Sequence, residues 1–230
     1  MNAKSDTLAL KVSLKDSFPK PKADRLQTQI LDTLSVNFQD GEFIDITLFS
    51  DEFIIDMKYA EKDNLLDTVL YPCAKCMLRY EVLKDLLKAQ TAFKKLGFKM
   101  KIWDCYRPLS VQKLMWEKYP VPGLIADPKT GSRHNRGSAI DLTLTDLEGN
   151  EIDMGTSHDD ISAQSRTFYR GFNDTIFQNR MLLRRVMTQN HFIGINSEWW
   201  HFSHDCGPKY KVCDTVFCNP KSPLPADSIR

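Results

Sequence analysis

Residues 132–144 read SRHNRGSAIDLTL, a turn-forming run of Ser, Asn and Gly that leads into an alternating segment. From residue 138 onward, the Ile and Leu side chains share one face of the predicted strand, whereas Asp141 lies on the other face. A carboxylate in the middle of a strand is costly to bury unless it is paired or binds a metal. The stretch therefore predicts a strand that carries Asp141 as a metal ligand, with His134 in the turn before it.

A second fragment, EWWH at residues 198–201, supplies another imidazole and a second carboxylate. Two histidines and one carboxylate hold a catalytic zinc ion and leave one coordination position for water. His134, Asp141 and His201 form that set. Glu198 is then the candidate general base for the activated water, with a fourth ligand or a surface carboxylate as the alternative interpretations. The two fragments together predict a metallohydrolase that binds one Zn²⁺ per chain.

The spacing of the second fragment raises a geometric difficulty. In an ideal strand Glu198 and His201 point to opposite faces, because side chains alternate. If both serve one site, the backbone has to bend, bulge or end there. Trp199 and Trp200 would then pack on either side of that bend, although simple filling of the core accounts for them equally well.

The composition is that of an ordinary globular protein with one domain, with or without appendages. The 230 residues are 42% hydrophobic, and 31 basic and 30 acidic residues give a net charge of +1. This balance argues against a nucleic-acid partner. We find no apolar run near the roughly 18 residues of a membrane span. Residues 1–16 lack the apolar core of a secretory signal, so the sequence as given predicts a soluble protein.

We expect an α+β fold, in which helices pack on one small, mostly antiparallel sheet with the zinc site at the sheet. Residues 1–45 are predicted to form an N-terminal extension, 46–205 the peptidase domain and 206–230 a C-terminal tail. Hydrophobic periodicity and turn signals predict three helices and four strands. The helices are 78–96, a short one capped by Ser110 that runs to 119, and 175–189; the strands are 98–103, 138–144, 192–195 and 199–202.

Six cysteines bear on the compartment: Cys73, Cys76, Cys105, Cys206, Cys213 and Cys218. The even number and the crowded tail favour disulfides slightly over unpaired buried thiols. Disulfides would place the protein in the periplasm or cell envelope, and the cytoplasm is the alternative. A redox role for the C-x-x-C pair is less favoured, because no flanking pattern supports it.

Further polar residues lie near the two fragments. Arg107 follows the strand that ends at 103, where a cation could stabilise the oxyanion of a tetrahedral intermediate, with Asp104 as a candidate partner. Ser132 could bind a substrate carboxylate or satisfy local backbone groups. Asp159 lies in an acidic loop that could hold a free amino terminus, although solvent exposure is the usual state of such a residue. His204 is predicted to lie at the surface or behind the ligands.

These motifs resemble the zinc D-alanyl-D-alanine dipeptidases of the VanX type, within the wider group of D-Ala-D-Ala metallopeptidases. The likeness covers about residues 55–202. It includes DMKY at 56–59, WDCYRP at 103–108, RGSAIDLTL at 136–144, MG at 154–155, NR at 179–180 and EWWH at 198–201. The core motif is shared with carboxypeptidases and endopeptidases, and the RGSAIDLTL and EWWH runs are closer to the dipeptidase branch.

The resemblance implies a role for each matching position. It makes His134, Asp141 and His201 the zinc ligands and Glu198 the catalytic base. Arg107 would stabilise the transition state. The resemblance also implies that Asp159 binds the substrate ammonium group, helped by a tyrosine near the N-terminus that the sequence does not locate, and that Ser132 holds the substrate, through its carboxylate. The implied fold is a small α+β domain with a narrow cavity suited to a small D,D-dipeptide.

The chain departs from the short dipeptidases in its first forty-odd residues and in the cysteine-bearing tail. The 116–132 linker is also shorter, which could open the cavity to longer peptides. The favoured function is hydrolysis of D-Ala-D-Ala to two D-alanines. The alternatives are a peptidoglycan D,D-carboxypeptidase or endopeptidase, and a non-catalytic metal-bound binding module, against which the intact Glu198 and Arg107 argue. The sequence does not indicate an oligomeric state.

Overall fold

The computed structural model describes residues 38–121 and 125–218 of the chain. Most of the predicted N-terminal extension and the last twelve residues of the predicted tail lie outside these ranges. The described ranges contain seven strands and three helices, joined by loops and short 3₁₀ turns. In chain order they are β1 (Phe43–Asp45), β2 (Ile54–Ile55), β3 (Met77–Arg79), α1 (Tyr80–Lys95), β4 (Lys99–Asp104), α2 (Leu109–Lys118), β5 (Ala139–Thr145), α3 (Asp174–Gln189), β6 (Phe192–Gly194) and β7 (His201–His204).

Five strands form the main sheet in the order β2-β4-β5-β7-β6. Strand β2 runs parallel to β4, and the other neighbours are antiparallel. A separate antiparallel pair, β1 and β3, leads into α1. The helix α1 packs on β4, and α3 packs on α1 and β6. The predicted α+β fold with a small, mostly antiparallel sheet is therefore confirmed.

Strand β5 lies at the centre of this sheet, and all seven of its residues are buried. Alternation in sequence predicted one apolar and one polar face for it. Burial of both faces means that Asp141 and Thr143 are also removed from water. Buried polar groups need partners, so the polar face of β5 has to meet other polar groups inside the protein.

The helix and strand predictions need only small corrections. Helices α1 and α3 lie within one or two residues of their predicted bounds, which is the usual uncertainty of helix ends. Ser110, predicted as the cap of α2, instead lies inside the first turn, because Pro108 occupies the N-cap position. The Ser110 amide is satisfied by Oδ1 of Asp214 at 2.7 Å. Strand β7 begins at His201, two residues later than predicted.

The described residues on either side of the predicted domain contact it closely. Strand β1, inside the predicted extension, pairs with β3. In the predicted tail, Cys218 forms a disulfide with Cys73, and the amide of Cys213 donates to the carbonyl of Asn135 at 2.8 Å. The predicted boundaries at residues 45 and 205 stay predictions. No helix within 38–121 and 125–218 is long and apolar enough to cross a membrane.

Candidate metal centre and active site

The three predicted ligands converge at the centre of the sheet. Asp141 of β5 and His201 of β7 are directly opposite each other across two antiparallel strands, which brings their side chains together. Oδ1 of Asp141 lies 2.9 Å from Nδ1 of His201. Nε2 of His134 lies 3.1 Å from the same Nδ1 and 3.4 Å from Oδ2 of Asp141. The ligand atoms thus all lie within 4.8 Å of one another, as the donors to one ion would.

The turn before β5 places His134. Residues His134–Arg136 form one 3₁₀ turn that ends at Gly137, whose φ of +70° is unfavourable for other residue types. A Cβ on Gly137 would also collide with the ring of Phe43. Glycine is therefore needed here for the chain to turn from the histidine into the strand.

Hydrogen bonds behind the ligands orient them. Nδ1 of His134 lies 2.6 Å from the carbonyl oxygen of Cys105, and Nε2 of His201 lies 3.0 Å from Oγ of Ser203. Since a carbonyl only accepts, Nδ1 of His134 carries the proton and its Nε2 lone pair faces Asp141. Partners of this kind fix the tautomer of metal-binding histidines.

The charges at the centre favour a deprotonated ligand carboxylate. Burial would raise the pKa of Asp141, but His134 and the other imidazoles around it hold that pKa well below its usual range. Burial would lower the pKa of His134, and Asp141 and Asp104 outweigh this and raise it. Two imidazole nitrogens and one carboxylate oxygen, buried and convergent, are the donor set of a catalytic divalent metal such as zinc, so these residues fit the ion that the sequence implies.

Glu198 lies in the bend that precedes β7. Since the strand begins only at His201, the alternation rule does not apply to Glu198, and both residues line the same cavity. Burial raises the pKa of Glu198 to about 7; His201 opposes the rise, and Asp141 and Asp159 add to it. A buried carboxylate with a pKa near neutrality suits a general base. The predicted bend is therefore present.

Arg107 is fixed at the cavity wall by two partners. Its Nε and one terminal nitrogen donate to Oδ2 of Asp104 at 3.1 and 2.6 Å, and its other terminal nitrogen donates to Gln112 at 3.0 Å. The predicted pairing with Asp104 is confirmed. Three of the five guanidinium N–H groups are used in this way, which leaves two for a developing negative charge in the cavity that Arg107 lines.

Asp159 and Ser132 line the same cavity as the metal ligands. The hydroxyl of Tyr59 donates to Oδ2 of Asp159 at 2.8 Å, which makes Tyr59 the candidate for the tyrosine that the sequence did not locate. Asp159 has a φ of +58°, in the left-handed region that aspartate adopts more readily than most other residue types. The Ser132 oxygen accepts a hydrogen bond from the amide of His134 at 3.2 Å and keeps its own proton to donate.

The cavity that these residues share has a volume of about 570 Å³. The remainder of its wall mixes apolar side chains, among them Met115, Ile125 and Ile195, with polar ones such as Arg133 and Asp205. A smaller cavity of about 260 Å³ adjoins it, and Asp159 lines both. Every residue predicted to act at the site thus lies around one cavity.

Sequence reasoning missed three residues of the site: Tyr59, Gln112 and His158. The DMKY run at 56–59 contained a signal for Tyr59, but its contact is with a residue 100 positions away. Gln112 and His158 carry no motif of their own. His204, predicted at the surface or behind the ligands, is buried, lies 3.0 Å from Asp85 and contributes to the wall of the cavity.

Two imidazoles and a carboxylate that converge beside a separate buried carboxylate define the class: a metal-dependent hydrolase. The sequence model described as "D-ala-D-ala dipeptidase" matches residues 39–222, and the chain belongs to that family. It is 37% identical over 176 residues to the D-alanyl-D-alanine dipeptidase of Escherichia coli K12, a match that covers 76% of this chain and 91% of the relative. It is 31% identical to the Enterococcus faecalis D-alanyl-D-alanine dipeptidase, over 67% of this chain and 89% of the relative.

Proposed function

We propose that this chain hydrolyses D-Ala-D-Ala to two D-alanines with one zinc ion held by His134, Asp141 and His201. The observation that carries the proposal is the convergence of these three side chains with Glu198 in one cavity. Membership of the dipeptidase family supports the substrate. When bound, a zinc ion would lower the pKa of a water molecule and polarise the peptide carbonyl.

The residues of the chain supply the remaining chemistry. Glu198 takes a proton from the attacking water, because it is a carboxylate in the same cavity as the three ligands and is not one of them. It then delivers that proton to the leaving amino group. The two unused N–H groups of Arg107 face the oxygen on which negative charge develops, and Asp104 and Gln112 hold the guanidinium in place without reorganisation.

The two charged ends of a dipeptide have separate partners. Asp159 binds the ammonium group, and Tyr59 fixes the carboxylate of Asp159 in the required orientation. Ser132 has a hydroxyl proton to donate to the substrate carboxylate. Because an acylated amino group carries no charge, Asp159 favours substrates with a free amino terminus over longer stem peptides.

A D,D-carboxypeptidase activity is the second candidate, and the size of the cavity favours it. A volume of about 570 Å³ falls in the range that takes drug-sized ligands, so space alone does not restrict the site to a dipeptide. The smaller cavity beyond Asp159 extends it further. A restriction to dipeptides would therefore have to come from recognition of the ammonium group and not from the volume of the cavity.

We further propose that the protein works in the cell envelope. Cys73 and Cys218 are paired with Cα atoms 5.9 Å apart, and Cys76 and Cys105 with Cα atoms 5.3 Å apart. Structural disulfides persist mainly in oxidising compartments. Thiol titration of the unfolded, unreduced protein should find two free thiols, those of Cys206 and Cys213. Six free thiols in protein taken from its own host would favour the cytoplasm instead.

The decisive experiment compares D-alanine release from D-Ala-D-Ala, N-acetyl-D-Ala-D-Ala and a stem pentapeptide. We expect turnover of the free dipeptide, loss of turnover on chelation with recovery on adding Zn²⁺, and a fall of about 10²–10⁴-fold in Glu198→Gln. Glu117→Gln, at an exposed site on α2, is the matched control. Preferred turnover of the pentapeptide would assign the protein to the carboxypeptidases. Metal binding without turnover of any substrate would support the non-catalytic module.

A further inference from the structure

His158 is a buried imidazole for which the proposed reaction has no role so far. Its side chain is 4% exposed. The ring packs among Trp103, Trp200 and Tyr59, with centroid distances of 5.2, 5.6 and 5.9 Å. It lies in the loop that follows the Gly155 turn and directly precedes Asp159, which binds the substrate ammonium in the proposed function.

Both nitrogens of this ring face carboxylates of the site. Nε2 lies 3.5 Å from Oδ2 of Asp141, the ligand at the centre of the sheet. Nδ1 lies 3.5 Å from Oδ2 of Asp159. Among the described residues, His158 is thus placed between the metal ligands on one side and the amino-binding carboxylate on the other.

Filling of the core does not account for an imidazole at this position. Nε2 is a buried polar atom that makes no short hydrogen bond in the described part of the chain, and the Asp141 oxygen that it faces is 3.5 Å away. Such an atom costs about 1–3 kcal/mol, whereas a phenyl ring would fill the same aromatic pocket without that cost. The Nε2 edge therefore has a use in the working enzyme, and Oδ2 of Asp141 is the acceptor within reach.

A metal ligand of this type needs such a partner. Carboxylates that bind a metal through one oxygen are usually held by a hydrogen bond, and loss of the partner commonly costs 10–100-fold in metal affinity or activity. For Asp141, Oδ1 faces His201 and Oδ2 faces His134 and His158. Since His134 is itself a ligand in the proposed function, His158 is the group left to hold Asp141.

We propose that His158, with a proton on each ring nitrogen, is a positioning residue: its Nε2 edge donates to and fixes the ligand carboxylate of Asp141, and its Nδ1 edge does the same for Asp159. One ring thereby sets the distance between the metal centre and the group that binds the substrate ammonium. This inference rests on the proposed function for the role of Asp159. The contact between His158 and Asp141 concerns metal binding only, so it can be tested by Zn²⁺ affinity without any measurement of turnover.

Three substitutions separate the two edges of the ring. His158→Phe keeps the ring and removes both polar edges. The amide of His158→Gln reaches the position of Nε2, and the amide of His158→Asn reaches that of Nδ1. His191→Asn is the matched control, because His191 is exposed, has a φ of +67° that asparagine tolerates, and lies outside the cavity lining.

The measurements are Zn²⁺ affinity by competition with a chromophoric chelator, the visible spectrum of the Co²⁺-loaded protein, and KM for D-Ala-D-Ala at saturating Zn²⁺. We expect His158→Phe to weaken Zn²⁺ binding about 10–100-fold, to shift the Co²⁺ bands and to raise KM. His158→Gln should restore Zn²⁺ affinity but not KM, and His158→Asn should restore KM but not Zn²⁺ affinity.

Wild-type Zn²⁺ affinity and Co²⁺ spectra in all three folded variants would overturn the proposal. The proposal would also be overturned if all three variants lost Zn²⁺ affinity and gained KM to the same extent, in proportion to a lower unfolding temperature. That result would indicate that His158 acts through packing alone. If the wild-type protein binds Zn²⁺ but hydrolyses no dipeptide, the proposed function fails while the Zn²⁺ series still tests the role of His158 at Asp141.

Discussion

Nδ1 of His134 lies 2.6 Å from the carbonyl oxygen of Cys105, a residue whose side chain is bonded to Cys76. The disulfide ties the end of β4 to the segment before β3, and so fixes the carbonyl that orients a metal ligand. A covalent link between two loops thus lies one hydrogen bond away from the metal centre.

We therefore expect loss of this disulfide to weaken metal binding. Cys76→Ser with Cys105→Ser should lower the free energy of unfolding by about 2–5 kcal/mol and Zn²⁺ affinity by roughly tenfold. Chelator competition and thermal unfolding measure the two effects.

The second disulfide provides the control for that prediction. Cys73→Ser with Cys218→Ser opens a link between residues 145 positions apart, compared with 29 for the first. Because the described residues show no hydrogen bond from Cys73 or Cys218 to a metal ligand, stability should fall while Zn²⁺ affinity stays near that of the wild type. Equal Zn²⁺ affinity in both double variants, measured where both are folded, would show that the Cys105 carbonyl needs no covalent support.

A second prediction concerns the ion pair of Arg107. In Arg107→Lys the positive charge remains near Asp104, but one ammonium group cannot contact Asp104, Gln112 and the substrate oxygen together. We expect kcat to fall by about 10²–10³-fold, with Zn²⁺ affinity unchanged. Arg170→Lys is the matched control, since Arg170 is exposed and stacks on Phe177 outside the cavity. A wild-type kcat for Arg107→Lys would remove Arg107 from the reaction.

Local signals in the sequence predicted the metal site, the α+β class and the long elements. His134 and Asp141 are seven positions apart, and the turn chemistry and alternation between them are visible in the chain. His201 was found only because the EWWH run stands out, since its pairing with Asp141 depends on the order of strands. The turn at Gly137 and the bend at Glu198 depend on neighbouring residues, so the sequence was sufficient to predict both.

The contacts that support the site depend on tertiary packing. Gln112 of α2 and Asp104 of β4 both accept hydrogen bonds from the guanidinium of Arg107. The spacing of these residues in the sequence marks Gln112 only as a surface position of a helix. The pairing of cysteines 73 with 218 and 76 with 105 is one of many combinations that six cysteines allow. His158 is placed by its loop, so no periodicity points to it.

A third prediction tests recognition of the ammonium group. Tyr59→Phe removes the hydrogen bond to Asp159 and leaves the aromatic packing. Hydrogen bonds to a charged group contribute about 1.5–3 kcal/mol, so KM for D-Ala-D-Ala should rise by at least about tenfold. Discrimination against N-acetyl-D-Ala-D-Ala should shrink in the same variant. Tyr119→Phe, outside the cavity lining, serves as control, and an unchanged KM in Tyr59→Phe would mean that Asp159 needs no such partner.

The last prediction follows from the pKa of Glu198 in the metal-free protein. Burial raises that pKa from about 4.5 to about 7 in the folded state, whereas the unfolded chain releases the proton near 4.5. Between these values the folded state binds more protons, so the stability that protonated Glu198 contributes is complete below pH 4.5 and is lost as the pH rises through 7. Above pH 7 the buried charge lowers the free energy of unfolding by up to about 3 kcal/mol.

Glu198→Gln removes that charge. Metal-free Glu198→Gln should therefore be more stable than the metal-free wild type at pH 8, and the two should be equally stable near pH 4.5. Urea unfolding at both pH values, in the presence of chelator, measures the difference, and Glu117→Gln should match the wild type throughout. If Glu198→Gln were no more stable than the wild type at pH 8, burial of the charged Glu198 carboxylate would carry no penalty. The pKa of Glu198 would then be ordinary, contrary to the value inferred from its burial.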